Sequence, residues 1–274
     1  MNKDSTRELL LGRHTPVIET YSPELLYPIS RSDGRRALGL GSPLPFYGVD
    51  IWHAYEMSWL DSNAKPVSLV GRFVIPASSP NLVESKSFKL YLNSLNNKKF
   101  DCNASAISCI ETDIAAIAGN PVALALYLPD DEALAGHILE GQCLDGCNAS
   151  VAAEEPTASM IQVEEGKVIE EKLFSHLLRS LCPVTGQPDW ASVWVHYRGA
   201  AIDHASLLAY IIAYRQHQEF HEQCVERMFC DIRAACQPEF LNIQAFYTRR
   251  GGLDINPFRS TDASTTALPR LNRQ

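Results

Sequence analysis

Apolar and polar positions change period several times along the chain. "DIWHAYEMSWL" is rich in aromatics and "PVSLVGRFVIP" is β-branched and bounded by prolines, so both read as strands. "ESKSFKLYLNSL" switches to a helical period: Phe88, Tyr91 and Leu92 recur at helix spacing, and Lys86 and Lys89 are three apart. "SAISCIETDIAAIAG" reads as a second helix, with Ile107, Ile110, Ile114 and Ile117 on one face and Gly119 as a stop. "PVALALYL" returns to strand.

The order then recurs. "KLFSHLLRSL" fits a helix period as well as a strand period, and the pattern alone leaves it open. "ASVWVHYRG" alternates Val193, Val195 and Tyr197 as a strand does. "HASLLAYIIAYRQ" and "FHEQCVERMFCDIRAAC" are helical, the second with Val225, Phe229, Ile232 and Cys236 in one stripe. "FLNIQAFY" is a strand with Leu241, Ile243, Ala245 and Tyr247 on one side, and "TRRGGLDINP" reads as a turn. Each half therefore offers strands, two helices and a strand. Aligning Glu84 with Asp203 matches Ser87 with Ser206 and Tyr91 with Tyr210 but little else. So long a period suits a duplicated α+β domain, not a solenoid.

The first 45 residues, with "GRRALGLGSPLP", read as an irregular arm; the small, acidic, proline-containing stretch from 130 to 167 reads as a connector. The expected organisation is an arm at 1–45, a first lobe at 46–135, a connector at 136–167 and a second lobe at 168–274.

Composition narrows the class. The chain has 274 residues, 46% hydrophobic and 20% charged, as soluble globular proteins do. Its net charge of -8 argues against a broad nucleic-acid footprint, though not against a nucleobase-sized ligand. No run approaches the ~18 apolar residues of a membrane span. The three-leucine patch in "MNKDSTRELLLGRHTP" is too short for a signal-peptide core. A cytoplasmic protein with reduced thiols is expected, although its 8 cysteines are even in number. Cys143 and Cys147 form a CxxxC with no second pair at zinc-ribbon spacing. GxGxxG, Walker, HExxH and GxSxG motifs are absent.

Four strings carry candidate chemistry, and each also has a purely structural reading. In "SLCPVTGQPDW", Cys182 sits among Pro183, Gly186 and Pro188, with Asp189 seven residues on. A thiol of ordinary pKa, about 8.5, needs a proton acceptor to act as a nucleophile at pH 7. A loop that folds back brings Asp189 to it. An ionised aspartate opposes a thiolate by charge, so its role is proton transfer. Alternatively, Cys182 is a small hydrophobe at a strand end. In "EFHEQC", His221 can relay protons, and Glu222 offers two acceptors to the paired N–H donors of a guanine-like ring. Glu222 can equally favour the helix dipole. In "ESKSFKLY", Glu84 caps a helix or aims a carboxylate into a cleft; Lys86 and Lys89 meet a phosphate or solvent. In "RRGG", Arg249 and Arg250 with two glycines let guanidinium forks and open backbone approach a phosphate together, or form a basic turn.

Taken together, "SLCPVTGQPDW", "ESKSFKLY", "EFHEQCVE" and "YTRRGGLDINPFRS", which lie between residues 84 and 260, resemble the NADPH-dependent 7-cyano-7-deazaguanine reductases. This is the nitrile reductase family of queuosine biosynthesis, here in its long, two-lobed form. "LPFYGVDIWHAYEMSWL" has the family's look as well. The resemblance implies an α+β chain of tandem duplicated tunnelling-fold (T-fold) domains, each an antiparallel sheet backed by two helices, which makes "KLFSHLLRSL" strand. It implies that Cys182 adds to the nitrile carbon to form a covalent thioimide, that Asp189 donates a proton to the nitrile nitrogen, and that His221 and Glu222 contact substrate, His221 also aiding proton transfer. Glu84, Ser85 and Lys86 would meet the deazaguanine. Lys86, Ser87, Arg250 and Gly251 would meet NADPH, with Lys89 and Arg249 nearby, and Phe220 would stack on the base. The bent loop would hold the sulfur at the mouth of a cleft. "DHASLLAY" lacks the glutamate and both lysines of "ESKSFKLY", so one chain carries residues for one site. NADPH as co-substrate, no metal, no direct nucleic acid, no membrane and a homodimer complete the expectation. Two rivals remain: a tunnelling-fold purine or pterin hydrolase, with zinc on Cys182, His221 and Cys224, and a non-catalytic purine-binding module.

Overall fold

The computed structural model describes residues 18, 20–149 and 155–274. Its elements, in chain order, are β1 (Pro28–Ser30), α1 (Arg31–Ala37), β2 (Tyr47–Met57), β3 (Leu69–Pro76), β4 (Asn81–Val83), α2 (Ser85–Ser94), α3 (Asn103–Ala118), β5 (Ala123–Tyr127), β6 (Gln142–Cys143), β7 (Val163–Ser175), β8 (Arg179–Leu181), β9 (Pro188–Ile202), α4 (His204–Ala213), α5 (His221–Cys236), β10 (Phe240–Tyr247) and β11 (Leu253–Ser260). The fold is mixed α+β with mainly antiparallel strand pairing. The chain divides into two compact units. The first holds the described residues up to Ala37, with Asp50–Ala135 and Arg249–Ile255; the second holds Leu38–Val49, the described residues of Gly136–Thr248, and Asn256–Gln274.

In the first unit the strands lie in the order β5-β3-β2, and β3 runs antiparallel to β5 with Val70 opposite Tyr127. Phe88 of α2 meets Trp52 edge-on at 5.3 Å and Phe73 at 5.0 Å. These aromatic contacts anchor the amphipathic helix to the sheet. The buried stripe of α3 is Ala106, Ile110, Ile114 and Ala118, spaced four apart. Ile107 and Ile117, expected on that face, flank it and are only partly buried. The helix stops at Gly119, whose φ is 74° and whose N–H donates to the Ala115 carbonyl at 2.9 Å. A Cβ there would stand 2.5 Å from Cγ of Pro80, so glycine is required by conformation and by space.

In the second unit the order is β11-β10-β9-β7-β6, antiparallel except for the short β6–β7 pair. The stripe Val225, Phe229, Ile232 and Cys236 of α5 is buried as its spacing predicts. Leu241, Ile243, Ala245 and Tyr247 of β10 are buried too. The opposite face of β10 is also covered, because Phe246 packs with Trp194 and Leu271. Gln244 holds the covering segment by accepting from the Leu268 N–H at 2.8 Å and donating to its carbonyl at 3.1 Å.

Several sequence expectations are refined. The arm contains β1, α1 and a 3-10 turn at Pro23–Leu25; part of it lies outside the described residues. The connector contains β6, and β7 starts within it at Val163. "KLFSHLLRSL" is strand, as the resemblance implied, but in two pieces: the end of β7 and then β8, with a break between Ser175 and Arg179. Only the first part of "TRRGGLDINP" is a turn: β11 begins at Leu253, and its alternation is masked because both faces are buried.

Candidate functional site

Two groups of predicted site residues form, one in each unit. The second unit holds Cys182, Asp189, His221 and Glu222. Strands β8 and β9 make a hairpin with Ser180 opposite Asp189 and Leu181 opposite Pro188. Cys182 closes its neck: its N–H donates to the Gln187 carbonyl at 2.9 Å, and its carbonyl accepts from Gly186 at 2.9 Å. Gly186 has φ 68°, which lets the loop reverse. Cys182 thus lies opposite Gln187, two residues beyond the Ser180–Asp189 pair of the same hairpin. Asp189 is the second residue of β9, where the sequence suggested a loop. Cys182 is 4% exposed, which corrects the expectation of a sulfur at an open mouth. The exposed part of the loop is Thr185–Gln187.

Asp189 is buried, and its Oδ2 lies 3.3 Å from Nε2 of His221, the first residue of α5. The His221 ring is stacked on Tyr247 of β10, with centroids 3.7 Å apart and planes at 17°. That platform fixes the imidazole so that one nitrogen faces the carboxylate. Glu222 is buried in the first turn of α5, where the helix dipole favours its charge. Phe220 is the residue before that turn, and its N–H donates to Gln223 at 3.3 Å. Behind this group burial pushes the Cys224 thiol well above its ordinary range and the Tyr247 hydroxyl with it. Cys224 is thus held as a neutral thiol, unsuited to act as a nucleophile.

The hairpin is tied to the start of α5 by the strip between α4 and α5. The Leu181 N–H donates to the His217 carbonyl at 2.9 Å. Nε2 of His217 pairs with Glu219 at 2.9 Å and Nδ1 with Glu155 at 2.5 Å; Arg227 grips Glu219 with both arms of its guanidinium. Burial opposes charge at His217 and Glu219, but the bonds and charges of the network outweigh it. His217 is shifted upward and Glu219 downward.

The first unit holds Glu84, Ser85, Lys86, Ser87, Arg250 and Gly251. Glu84 is the N-cap of α2: its carboxylate accepts from the Lys86 N–H at 2.9 Å and from the Ser87 N–H at 2.6 Å. It is 2% exposed, so capping is its observed local work, and its remaining lone pairs are what a ligand can use. The Ser87 hydroxyl donates to the Glu84 carbonyl at 2.7 Å and accepts from the Tyr27 N–H at 3.0 Å, which commits it to the fold. Ser85 and Lys86 are half-buried on the same turn. Gly251 and Gly252 have φ 61° and 81°, and Arg250 and Leu253 exchange backbone hydrogen bonds across them at 2.8 and 3.2 Å. Two left-handed residues in a tight hairpin demand this Gly-Gly pair. A Cβ on Gly252 would stand 2.6 Å from the Glu56 carboxyl carbon, and one on Gly251 would touch Lys89. The nearby basic side chains and the open glycine backbone fit a phosphate-bearing cofactor.

Sequence reasoning missed Tyr247, Tyr55 and Asp254. Asp254 follows the glycine turn, is 1% exposed, and accepts from Tyr55 Oη at 2.5 Å; His53 Nδ1 lies 2.8 Å from its other oxygen. A charged residue in a run buried on both faces was the available signal. Among the described residues no group of three or more His, Cys, Asp or Glu is placed to hold a metal ion, and no helix is long and apolar enough to cross a membrane.

The chain is 50% identical over 266 residues to an NADPH-dependent 7-cyano-7-deazaguanine reductase of Chromohalobacter salexigens, covering 96% of each protein. The chain belongs to the NADPH-dependent 7-cyano-7-deazaguanine reductase family. The family model for the N-terminal part of this nitrile reductase matches residues 17–126, and one described as QueF-like protein matches 188–266. Glu84–Ser87 fall in the first match and Asp189, His221, Glu222, Arg250 and Gly251 in the second, whereas Cys182 falls in neither. A solved structure, the archaeosine synthase QueF-Like in the apo form, is similar at 18% identity over 38% of this chain and all of that one, with a TM-score of 0.31.

Proposed function

We propose that this reductase-family chain converts the nitrile of 7-cyano-7-deazaguanine to the primary amine of 7-aminomethyl-7-deazaguanine, using two NADPH, in the queuosine pathway of tRNA modification. The observation that supports the mechanism is the hairpin that carries Cys182, paired with Gln187, and Asp189, paired with Ser180, with Nε2 of His221 3.3 Å from Asp189.

Cys182 gives its thiol proton to Asp189 as its sulfur adds to the nitrile carbon, one C–N π bond breaks, and Asp189 passes that proton to the nitrogen to give the thioimide. His221 takes part through Asp189, holding the carboxyl in place and returning its proton. A hydride from NADPH then adds to the thioimide carbon. The C–S bond breaks, the thiolate leaves and an imine remains. A second hydride to the imine carbon and a proton to nitrogen complete the amine, so two hydrides and two protons are taken up. A thioimide accepts hydride more readily than a nitrile, and this is why a thiol is needed. Glu222 accepts from N–H groups of the deazaguanine, with Phe220 beside it; Glu84, Ser85 and Lys86 also serve the base. Lys86, Arg250 and Gly251 serve the cofactor, while Ser87, whose N–H and hydroxyl are both engaged within the fold, holds the turn that presents Lys86.

The reading of both units as tandem tunnelling-fold domains is supported by their shared strand–helix–helix–strand order. A cytoplasmic homodimer that binds neither nucleic acid nor membrane accords with the net charge of -8. An edge of β7 that is paired by β6 only at Leu173 and Phe174, among the described residues, is a candidate for chain pairing. The test is NADPH oxidation by purified protein with 7-cyano-7-deazaguanine, with the product identified by mass. Two NADPH per amine is expected; tight binding of the nitrile without oxidation would instead mark a binding module.

A further inference from the structure

The turn that follows β10 carries two adjacent arginines in different settings. Arg250 is held in the turn by its backbone bonds to Leu253. Arg249 is exposed, and its guanidinium lies 4.0 Å from the centroid of the Tyr55 ring. Among the described residues no carboxylate forms an ion pair with it. Tyr55 is fixed at both ends: its N–H donates to the Gly252 carbonyl at 2.9 Å, and its hydroxyl donates to buried Asp254 at 2.5 Å. Asp254 is itself held by His53 at 2.8 Å. An arginine braced on an aromatic face keeps its fork free for a phosphate and loses little freedom on binding it. The other cation beside the glycines, Lys89, is 3.6 Å from Glu56 and so partly neutralised.

From this geometry we infer that Arg249 is the specificity-determining residue that selects the 2′-phosphorylated dinucleotide over its unphosphorylated counterpart, and that Asp254 is a positioning residue acting through Tyr55. The inference rests on the reductase reading, in which Arg250 and Gly251 meet the cofactor. A dinucleotide carries a pyrophosphate in either form. Only the extra phosphate monoester needs another cation, and Arg249 is the braced, unpaired one in this turn.

The test is calorimetric binding of NADP+ and NAD+ to the whole protein, wild type and variants. It needs no turnover, so its failure is distinct from failure of the reductase reading, which would show as no amine formed. Losing one charge-assisted phosphate contact should cost about 10- to 100-fold in affinity. Arg249→Ala should therefore weaken NADP+ by that factor and bring the NADP+/NAD+ affinity ratio toward one. Asp254→Asn and Tyr55→Phe should lower the same ratio by smaller factors, with Tyr55→Leu, which removes the platform, approaching Arg249→Ala. Equal weakening of both dinucleotides by Arg249→Ala would overturn the inference, as would an unchanged ratio. If Asp254→Asn lowers thermal stability while the ratio stays at its wild-type value, the positioning role is overturned.

Discussion

The N-termini of α2 and α4 are built alike and equipped differently. Glu84 caps α2, and Asp203 caps α4 by accepting from the Ser206 N–H at 2.8 Å. Ser87 and Ser206 each donate to the carbonyl of their cap residue, at 2.7 and 2.8 Å. Each serine hydroxyl also accepts a backbone N–H from an upstream strip, from Tyr27 at 3.0 Å and from Gln162 at 3.0 Å. Those strips accept in return, from Glu84 at 2.9 Å and from Asp203 at 2.8 Å. Further on, Tyr91 donates to Asp113 at 2.6 Å and Tyr210 to Asp231 at 2.7 Å. The positions that differ are Ser85, Lys86 and Lys89 against His204, Ala205 and Leu208. The residues that agree hold the scaffold; those that differ give α2 two lysines where α4 has alanine and leucine. Asp203 is exposed whereas Glu84 is buried, so the same cap faces a different environment in each unit.

The comparison can be pressed by substitution, and the largest effect is expected where the second unit has no counterpart in the first. Cys182→Ala should lower NADPH-dependent nitrile reduction by at least about 10⁴-fold, measured by steady-state oxidation with excess enzyme. Asp189→Asn should cost about 10²- to 10⁴-fold and remove one limb of the pH–rate profile. Residual activity near wild type in either variant would remove that residue from the mechanism.

The two caps then separate scaffold from function. Glu84→Ala and Asp203→Ala should each destabilise by about 1 kcal/mol, read by denaturant midpoint, because each leaves helix N–H groups without their acceptor. Only Glu84→Ala should also raise KM for the nitrile. Similar kinetic damage from Asp203→Ala would mean that the second clasp serves the site as well.

The smallest effect concerns the strip behind the cysteine hairpin. Glu219 is shifted down, so its contribution is present above the unfolded carboxylate range and fades as pH falls through its folded value. His217 is shifted up, so its contribution is complete below the ordinary imidazole value and fades as pH rises through its folded value. Between these limits the strip is tightest. Protection of the Leu181 amide, which donates to His217, should fall on the alkaline side by about 1 kcal/mol or less by hydrogen exchange, and His217→Ala should erase that step.

Much of this was legible in the sequence, and the gaps have physical causes. The helices were clear because their apolar stripes recur at a helix period, and Gly119 marked a stop that both backbone and Pro80 require. β11 was not legible, since a strand covered on both faces loses its alternation. Ser87 illustrates a deeper limit: its place in the motif invites a ligand contact, yet its hydroxyl is already engaged by Glu84 and Tyr27. Tyr247 shares the apolar side of its strand with Leu241, Ile243 and Ala245 and is buried there, but it also supports His221 by a ring contact across 26 residues of chain. Asp254 became visible only when the fold brought β2 beside the glycine turn.

The central claim is that Cys182 forms a covalent bond with the nitrile. Its most direct test is peptide mass mapping of the protein incubated with 7-cyano-7-deazaguanine in the absence of NADPH. The account predicts that the peptide containing Cys182 gains the full mass of the nitrile, since addition expels nothing, and that adding NADPH discharges it as the amine. An unmodified Cys182 peptide under conditions where NADPH-dependent amine formation proceeds would contradict it.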